Sequence, residues 1–250
     1  WFTDNATPYT IIQCKEFQES LPMCKGLYVF SQYHADFLKC FIKTIPIEVL
    51  RLPTETPEVK FNMDKFIANT NKKIVNIGYW LRKLSSIYLL NSDQGIYQKI
   101  RLLPATTWVP PELIETTLDI EAGFRGYPIS DDMKRSVIDV RHLPNDEYDE
   151  LLSKNILFVD LYDASANNCV IEAMVRNTPI LINPVPAVVE YLGEQYPFYF
   201  KDLEEASKKL KDIALIKETS DYLLNSGIAE KVSDEHFKRT IRNGEIWKNL

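Results

Sequence analysis

Short apolar runs alternate with amphipathic segments along most of this chain of 250 residues. Near its start, residues 26–30 predict a buried strand, residues 32–42 a helix and residues 47–52 a second strand. This order of elements is that of a β-α-β unit.

A linker-like segment follows this first unit. Residues 53–60 are rich in proline, threonine and charged residues and show no hydrophobic periodicity, which is typical of a connection between domains. We therefore place a domain boundary near Pro57, with one domain in residues 1–57 and a second in residues 58–250.

The alternation of strand and helix patterns restarts after the linker, behind a short helical segment at 63–68. The predicted strands are 72–78, 99–103, 136–140, 156–162, 179–183 and 198–200. Helical patterns separate most of them, and residues 202–250 are helical throughout. Continuous apolar strands that alternate with helices predict an α/β fold, in which a Rossmann-like parallel sheet carries helices on both faces.

The charge balance limits the classes of partner. The sequence has 29 Lys and Arg residues against 35 Asp and Glu residues, and its net charge of -6 provides no broad basic surface for nucleic acid. No apolar run approaches the roughly 20 residues that a transmembrane helix needs. We therefore expect neither a nucleic-acid partner nor a transmembrane segment.

The four cysteines, Cys14, Cys24, Cys40 and Cys169, form no C-x-x-C pair. Three of them lie in apolar or helical contexts, so we expect reduced thiols in the core of a cytoplasmic protein. The chain begins with Trp1 rather than methionine, from which we expect that an N-terminal part and its targeting information are missing.

The most informative stretch is SANNCVIEAMVRNTPILI, residues 165–182. A predicted strand leads into this loop, and Asn167 or Asn168 can cap a helix that begins near Cys169. In a parallel sheet, such a helix N-terminus offers free amide donors to anionic ligands. Glu172 then lies near the first turn among apolar neighbours, where a ligand diol is a suitable partner. A solvent-facing glutamate at a helix start is the alternative.

The run from LPNDEY to VVEYLG, residues 143–193, resembles the C-terminal nucleotide-sugar-binding domain of group-1, or family 4, glycosyltransferases with the GT-B fold. Its matching features are a helix-borne glutamate, a strand that begins with T-P and a later P-x-x-x-E. SQYHADFL resembles the end of the family's N-terminal domain, and VNIGYWLRKL resembles the first strand and phosphate loop of its C-terminal domain. The resemblance covers most of residues 20–200.

The resemblance implies a site for a nucleoside-diphosphate sugar. Glu172 matches the second glutamate of the family's E-x7-E motif, which implies contact with the ribose hydroxyls. Arg82 and Lys83 match the basic pair that neutralises the leaving diphosphate, whose charge fixed cations stabilise. These three residues form the implied catalytic set. The other implied donor-site residues are Gly78, His142, Leu143, Ala166, Asn167 and Asn168.

Several of these assignments have an ordinary structural alternative. Arg82 and Lys83 also fit a solvated loop, and a lone histidine such as His142 more often has a structural role. Trp80, close to this basic pair, can stack on a base or a sugar. An aromatic residue after a strand more often packs in the core, and we expect Trp80 there.

Two features depart from the family pattern. The first glutamate of E-x7-E would fall at position 164, where this chain has Ala164. This difference leaves open which sugar is transferred, a deoxy sugar included, and with which stereochemistry. The segment that resembles the N-terminal domain is residues 1–57, whereas a complete domain has roughly 100 residues or more. We therefore expect further domains of a larger chain.

The resemblance implies an enzyme. A hexosyl- or deoxyhexosyltransferase would move a sugar from a donor such as a UDP- or GDP-sugar to a glycan or other carbohydrate acceptor, with retention and without a bound cofactor or metal. The first alternative is a non-catalytic scaffold or nucleotide-binding module of the same fold, which Ala164 favours and Glu172 opposes. The second is an unrelated nucleotide-dependent α/β enzyme such as an epimerase. No H-E-x-x-H, G-x-S-x-G or P-loop pattern occurs.

Overall fold

The computed structural model of the chain describes residues 8–92, 95–103, 110–141 and 143–250. Its strands are β1 (Leu27–Val29), β2 (Ile47–Val49), β3 (Lys72–Ile77), β4 (Tyr97–Leu102), β5 (Val137–Val140), β6 (Ile156–Val159) and β7 (Ile180–Ile182). Its α-helices are α1 (Pro8–Gln13), α2 (Lys15–Ser20), α3 (Gln32–Lys39), α4 (Met63–Ala68), α5 (Ser86–Leu89), α6 (Pro111–Arg125), α7 (Asp131–Arg135), α8 (Asn145–Leu152), α9 (Asn168–Arg176), α10 (Pro186–Leu192), α11 (Leu203–Lys209), α12 (Ile213–Asn225), α13 (Asp234–Asn243) and α14 (Glu245–Lys248). Two 3₁₀ helices span Leu21–Met23 and Ile228–Val232.

Five parallel strands form the main sheet, in the order β5-β4-β3-β6-β7. Every residue of β6 and β7 is buried, because helices cover both faces of the sheet. The predicted α/β fold with a parallel sheet and a helical C-terminal tail is therefore confirmed. The run at 198–200 forms only a single parallel bridge, between Tyr199 and Ile182, because the chain turns into α11 directly after it.

The strand order places a reversal point in the centre of the main sheet. From β3 the chain moves outward to β4 and β5 on one side, and it then returns to β6 and β7 on the other side. The loops that follow β3 and β6 therefore leave the sheet in opposite directions. In open α/β sheets, ligands bind in the crevice that such a reversal leaves at the carboxyl ends of the strands.

A second, smaller sheet is formed by β1 and β2, which are parallel and pack with α3. This arrangement confirms the predicted β-α-β unit. The buried side chains of its own core are Leu21, Val29, Ala35, Ile42 and Ile47. Residues 53–60 contain no helix or strand, as the linker pattern predicted. The division into two domains near Pro57 stays a prediction.

Polar contacts join the small sheet and α3 to the larger part of the chain. The carboxylate of Glu190, on α10, accepts hydrogen bonds from the backbone amides of Gln32 at 2.7 Å and Tyr33 at 2.6 Å, in the first turn of α3. The hydroxyl of Tyr191 donates to the carbonyl of Phe30 at 2.8 Å. These contacts hold the N-terminus of α3 against α10.

The cysteines differ from the sequence-based expectation. All four thiols are free, but only Cys169 is buried; Cys14 and Cys24 are half-buried and Cys40 is exposed. The prediction that the thiols lie in the core is wrong for these three, because each caps a helix end: Cys14 begins α2, Cys24 ends the 3₁₀ helix Leu21–Met23 and Cys40 ends α3. None of the helices in the described part of the chain is long and apolar enough to cross a membrane.

Replacing Phe158 tests the packing of the main sheet. Its ring lies in β6, is fully buried and stacks on Phe200 at a centroid distance of 5.7 Å. We expect Phe158→Ala to lower the free energy of unfolding by about 3–5 kcal/mol, because it leaves a cavity in a close-packed core. Denaturant unfolding measures this change. The matched control is Phe124→Ala, whose ring is 89% exposed and should change stability by less than about 0.5 kcal/mol. Equal losses for both variants would contradict this packing.

Candidate functional site

A cavity of about 510 Å³ opens at the carboxyl edge of the main sheet, where the loops after β3 and β6 diverge. Its walls come from the loop after β3, the ends of β4 and β5, the start of α8 and the loop before α9. The lining residues are Ile77, Gly78, Tyr79, Trp80, Arg82, Leu102, Leu103, Val140, Arg141, Leu143, Tyr148, Ala166, Asn167 and Asn168. The predicted site residues Gly78, Arg82, Leu143, Ala166, Asn167 and Asn168 are therefore brought together.

The two sides of this cavity differ in chemistry. The side formed by the ends of β4 and β5 presents the apolar residues Leu102, Leu103 and Val140, with one charged residue, Arg141, directly after β5. The opposite side, formed by the loops after β3 and β6, presents Arg82 and residues 166–168. This arrangement suits a ligand with a flat apolar part and an anionic part.

Arg82 is fixed at the polar side of the cavity by its own loop and by Asn167. Its Nε donates to the carbonyl of Ile77 at 3.3 Å, its Nη1 to the carbonyl of Trp80 at 2.7 Å, and its Nη2 to Oδ1 of Asn167 at 3.3 Å. Among the described residues, no carboxylate forms a salt bridge with this guanidinium. A fixed cation without a carboxylate partner is suited to bind an anion.

Gly78 makes this position of Arg82 possible. Its φ of +83° is one that side-chain-bearing residues rarely adopt, and a Cβ at this position would lie 3.1 Å from Nη2 of Arg82. The guanidinium therefore occupies the space that a side chain at position 78 would fill.

The start of α9 supplies hydrogen-bond donors to the same side. Asn167 caps the helix as predicted, because its Oδ1 accepts from the amide of Cys169 at 3.0 Å. The amides of Ala166, Asn167 and Asn168 have no acceptor within the described part of the chain. The buried Nδ2 of Asn167 also has no partner there. Free donors at a helix N-terminus favour an anionic ligand.

Glu172 has a protein partner that was not expected from the sequence. It lies one turn along α9 from Asn168, outside the cavity lining, and its Oε2 pairs with Arg176. Arg176 also binds Asp149 of α8 at 2.7 Å, and its guanidinium lies 5.5 Å from the ring centre of Tyr148. Burial raises the pKa of the Glu172 carboxyl, and Arg176 opposes that rise. The spacing of four residues between Glu172 and Arg176 is the signal that indicates this pair.

Lys83 points away from the cavity. Its Nζ pairs with Oδ1 of Asp160 at 2.8 Å, and its backbone amide donates to the carbonyl of the same residue. Asp160 follows β6 directly and is buried, so its carboxylate needs a cation. The structure thus separates the two basic residues that the resemblance pairs, and a contact between Lys83 and a diphosphate stays a prediction.

A buried polar network supports the loop that carries Arg82. The carboxylate of Glu121, on α6, accepts from the amides of Leu84 at 2.7 Å and Ser85 at 3.0 Å. Arg125 pairs with Glu121 at 3.2 Å and donates to the hydroxyl of Ser85 at 2.7 Å. Glu121 and Arg125 were not among the residues singled out in the sequence, although their spacing of four residues in a helical pattern signals a pair.

The ring of Trp80 lies at the cavity and not in the core. The expectation that Trp80 packs in the core is wrong, because its ring is 57% exposed and lines the cavity. The next residue, Leu81, has a φ of +56°, so the loop turns back before Trp80 can reach the core. His142 lies outside the described residues. Within those residues, no group of three or more His, Cys, Asp or Glu side chains is placed to hold a metal ion.

Solved glycosyltransferases share this architecture. Sucrose-phosphate synthase from Thermosynechococcus elongatus superposes with a TM-score of 0.67 at 14% identity, over 98% of this chain and 64% of that one. The α,α-trehalose 6-phosphate synthase from Burkholderia multivorans gives 0.63 at 10% identity, over 98% and 64% of the two chains. A TarM variant from S. aureus, in complex with fondaparinux, α-GlcNAc-glycerol and UDP, gives 0.66 at 13% identity, over 97% and 48%.

The chain has the GT-B fold of these glycosyltransferases. It spans less than two thirds of the length of each of the three proteins. No protein-family model matches the sequence, and no curated protein matches it. The structure therefore confirms the resemblance to the GT-B fold that the sequence indicated. Sequence identities of 10–14% to these proteins show a shared fold and nothing further.

Adding a methyl group at Gly78 tests the backbone conformation that leaves room for Arg82. We expect Gly78→Ala to lower the free energy of unfolding by about 1–2 kcal/mol, because alanine is strained at a φ of +83°. The matched control is Gly123→Ala inside α6, where a Cβ meets nothing within 4 Å and alanine should stabilise by about 0.5–1 kcal/mol. Denaturant unfolding of both variants measures the two changes. Changes of the same sign would contradict this account of Gly78.

Proposed function

We propose that this chain is a glycosyltransferase that binds a nucleoside-diphosphate sugar in the cavity between the β3 and β6 loops and transfers the sugar to a carbohydrate acceptor. The observation that carries the proposal is the set of donors at the polar side of that cavity. These are the Arg82 guanidinium, which forms no salt bridge with a carboxylate of the described residues, the amides of residues 166–168, which have no acceptor there, and the buried Nδ2 of Asn167. The GT-B fold supports the same function.

The diphosphate occupies the polar side of the cavity in this proposal. Phosphate oxygens accept hydrogen bonds from Arg82 and from the amides at the start of α9. A buried donor without a partner costs about 1–3 kcal/mol, so an oxygen that reaches Nδ2 of Asn167 removes that cost. The TarM structure named above contains UDP, which supports a nucleoside diphosphate as the ligand class.

The base occupies the other side in this proposal, and the ribose lies between the base and the diphosphate and reaches past the cavity lining toward α9. The apolar ends of β4 and β5 face a flat base, and the exposed ring of Trp80 lies at the same cavity. Arg176 uses only Oε2 of Glu172, and Oε1 has no partner among the described residues. Oε1 therefore remains able to accept a ribose hydroxyl, which is the role that the resemblance implies for Glu172.

The same groups favour departure of the diphosphate. Negative charge builds on the leaving group as the bond to the sugar breaks, and fixed donors stabilise that charge most strongly. Arg82 is already held by Asn167 and by its own loop, so little reorganisation is needed. Lys83 can bind the diphosphate only after its ammonium group leaves Asp160 for a phosphate oxygen.

Retention of configuration at the transferred sugar is part of the proposal. It is supported by retaining transfer in a trehalose-6-phosphate synthase of the same fold.

A nucleotide-binding module without transfer is the second candidate. Two observations favour it: Ala164 stands where the family carries a glutamate, and Lys83 is paired with Asp160 rather than facing the cavity. Such a module would bind the nucleoside diphosphate, but it would release no diphosphate from a sugar donor.

Replacing Arg82 tests the diphosphate site. We expect Arg82→Ala to weaken the binding of UDP or GDP, whichever the chain binds, by at least about tenfold, because it removes charge-assisted hydrogen bonds. Calorimetric titration measures the affinities. Arg135→Ala is the matched control, since Arg135 lies on the exposed face of α7 and pairs with Asp132. Unchanged binding by Arg82→Ala would contradict the proposed site.

Replacing Glu172 separates the ribose contact from the phosphate contact. We expect Glu172→Ala to weaken binding of the nucleoside diphosphate by about tenfold and to leave binding of inorganic pyrophosphate unchanged, because pyrophosphate has no ribose. Arg82→Ala should weaken both ligands. The same calorimetric titration provides all four values. A loss of pyrophosphate binding in Glu172→Ala would show that Glu172 acts through the fold rather than on the ribose.

A further inference from the structure

A separate cavity, of about 270 Å³, lies at the amino edge of the main sheet. It forms where the chain leaves α5 and approaches β4, and where α7 leads into β5. Because the strands are parallel, the starts of β4 and β5 lie at the edge opposite to the cavity that contains Arg82. The two cavities share no lining residue, so a ligand in one does not compete with a ligand in the other.

Lys99 brings a buried positive charge to this cavity. It lies in β4, is 5% exposed, and its Nζ donates to the carbonyls of Tyr88 at 3.1 Å and Leu90 at 3.2 Å. These bonds use two of the three N–H groups of the ammonium, and no carboxylate of the described residues forms a salt bridge with it. Burial lowers the pKa of the Lys99 ammonium. An anion beside Lys99 would offset the cost of burying its charge.

Ser92 adds a buried hydroxyl group to the same cavity. The residue is 4% exposed, and its Oγ has no hydrogen-bond partner in the part of the chain that the structure describes. Lys99 also has a structural role, because it satisfies carbonyls at the end of α5. The described contacts give the Ser92 hydroxyl no such role. Buried polar groups are rarely left without a partner, so this hydroxyl is suited to an acceptor from outside the chain.

The donors and the walls of the cavity indicate which anion fits. One N–H group of Lys99 and one hydroxyl of Ser92 match the two oxygens of a carboxylate, whereas a phosphate would bring more oxygens than these two donors serve. Leu89 and Met133 give the cavity apolar walls. Asp132 also lines it, but its carboxylate pairs with Arg135 at 2.5 Å. The volume is below the roughly 300–1,000 Å³ of pockets for drug-sized ligands, which favours a small molecule.

We propose that this cavity is a second binding site, which takes a small organic carboxylate. Its oxygens accept hydrogen bonds from Lys99 and Ser92, and its apolar part contacts Leu89 and Met133. The site goes beyond the proposed function and does not depend on it, because none of its residues belongs to the cavity at the carboxyl edge.

Calorimetric titration with benzoate and with butyrate tests this site. Benzamide is the matched control ligand, because it has the shape of benzoate without its charge. Each ligand is titrated into the 250-residue chain, Ser92→Ala, Lys99→Met and Arg82→Ala. Ser226→Ala is the matched control variant, since Ser226 is exposed at the end of α12.

Thermal unfolding of each variant verifies that it is folded. Ser92→Ala is the decisive variant, because it removes a hydroxyl without a partner among the described residues and should not lower stability. It provides the test even if Lys99→Met fails to fold.

We expect the unaltered chain to bind benzoate or butyrate saturably and to bind benzamide at least about tenfold more weakly. Ser92→Ala should weaken carboxylate binding by at least about fivefold and Lys99→Met by at least about tenfold, because each removes a donor to the carboxylate. Arg82→Ala and Ser226→Ala should bind within about twofold of the unaltered chain.

Three results would overturn the assignment. They are no saturable binding of either carboxylate, equal affinity for benzoate and benzamide, and unchanged affinity in Ser92→Ala. A loss of carboxylate binding in Arg82→Ala would place the ligand at the carboxyl edge and would overturn the assignment as well.

Discussion

The site depends on the pairing of β3 with β6. The two strands are hydrogen-bonded neighbours, with Ile74 opposite Ile156 and Val75 opposite Leu157, yet the chain leaves them toward opposite halves of the sheet. Because the loops that follow β3 and β6 run in opposite directions, they leave a crevice at the carboxyl ends of the two strands. Backbone amides and the Arg82 guanidinium are consequently left facing one cavity, at the point where parallel sheets commonly bind ligands.

Groups behind the cavity hold it in shape. Glu121 binds the amides that follow Arg82, Gly78 leaves room for the guanidinium, and Asn167 ties it to the start of α9. Breaking a buried charge network of this kind costs about 3–5 kcal/mol, so the loop conformation is well determined. A positive charge that is fixed in advance stabilises a leaving diphosphate without the cost of rearrangement. Because these contacts hold the loop after β3 in one conformation, this short loop can place Arg82 at the proposed diphosphate site.

The sequence predicted most of the fold but only part of the site. Apolar runs located the five strands of the main sheet, and the local pattern located the Asn167 cap, because both signals lie within a few residues. The direction of Lys83 depends on Asp160, which is 77 residues away along the chain, and the exposure of Trp80 depends on the backbone turn at Leu81. Such details follow from tertiary contacts and loop conformation, which hydrophobic periodicity does not report.

Hydrogen–deuterium exchange with and without a nucleoside diphosphate is the most direct measurement of the central claim. The amides of residues 166–168 have no acceptor within the described part of the chain, so they should exchange quickly until a ligand accepts from them. A separate groove lies between α3 and α10, where it is lined by Asp36, Val189 and Glu194 among others. We predict that UDP or GDP slows exchange at residues 166–168 and in the loop at 78–82, and leaves exchange in this groove unchanged. Slowing confined to that groove, or no slowing at residues 166–168, would contradict the proposed donor site.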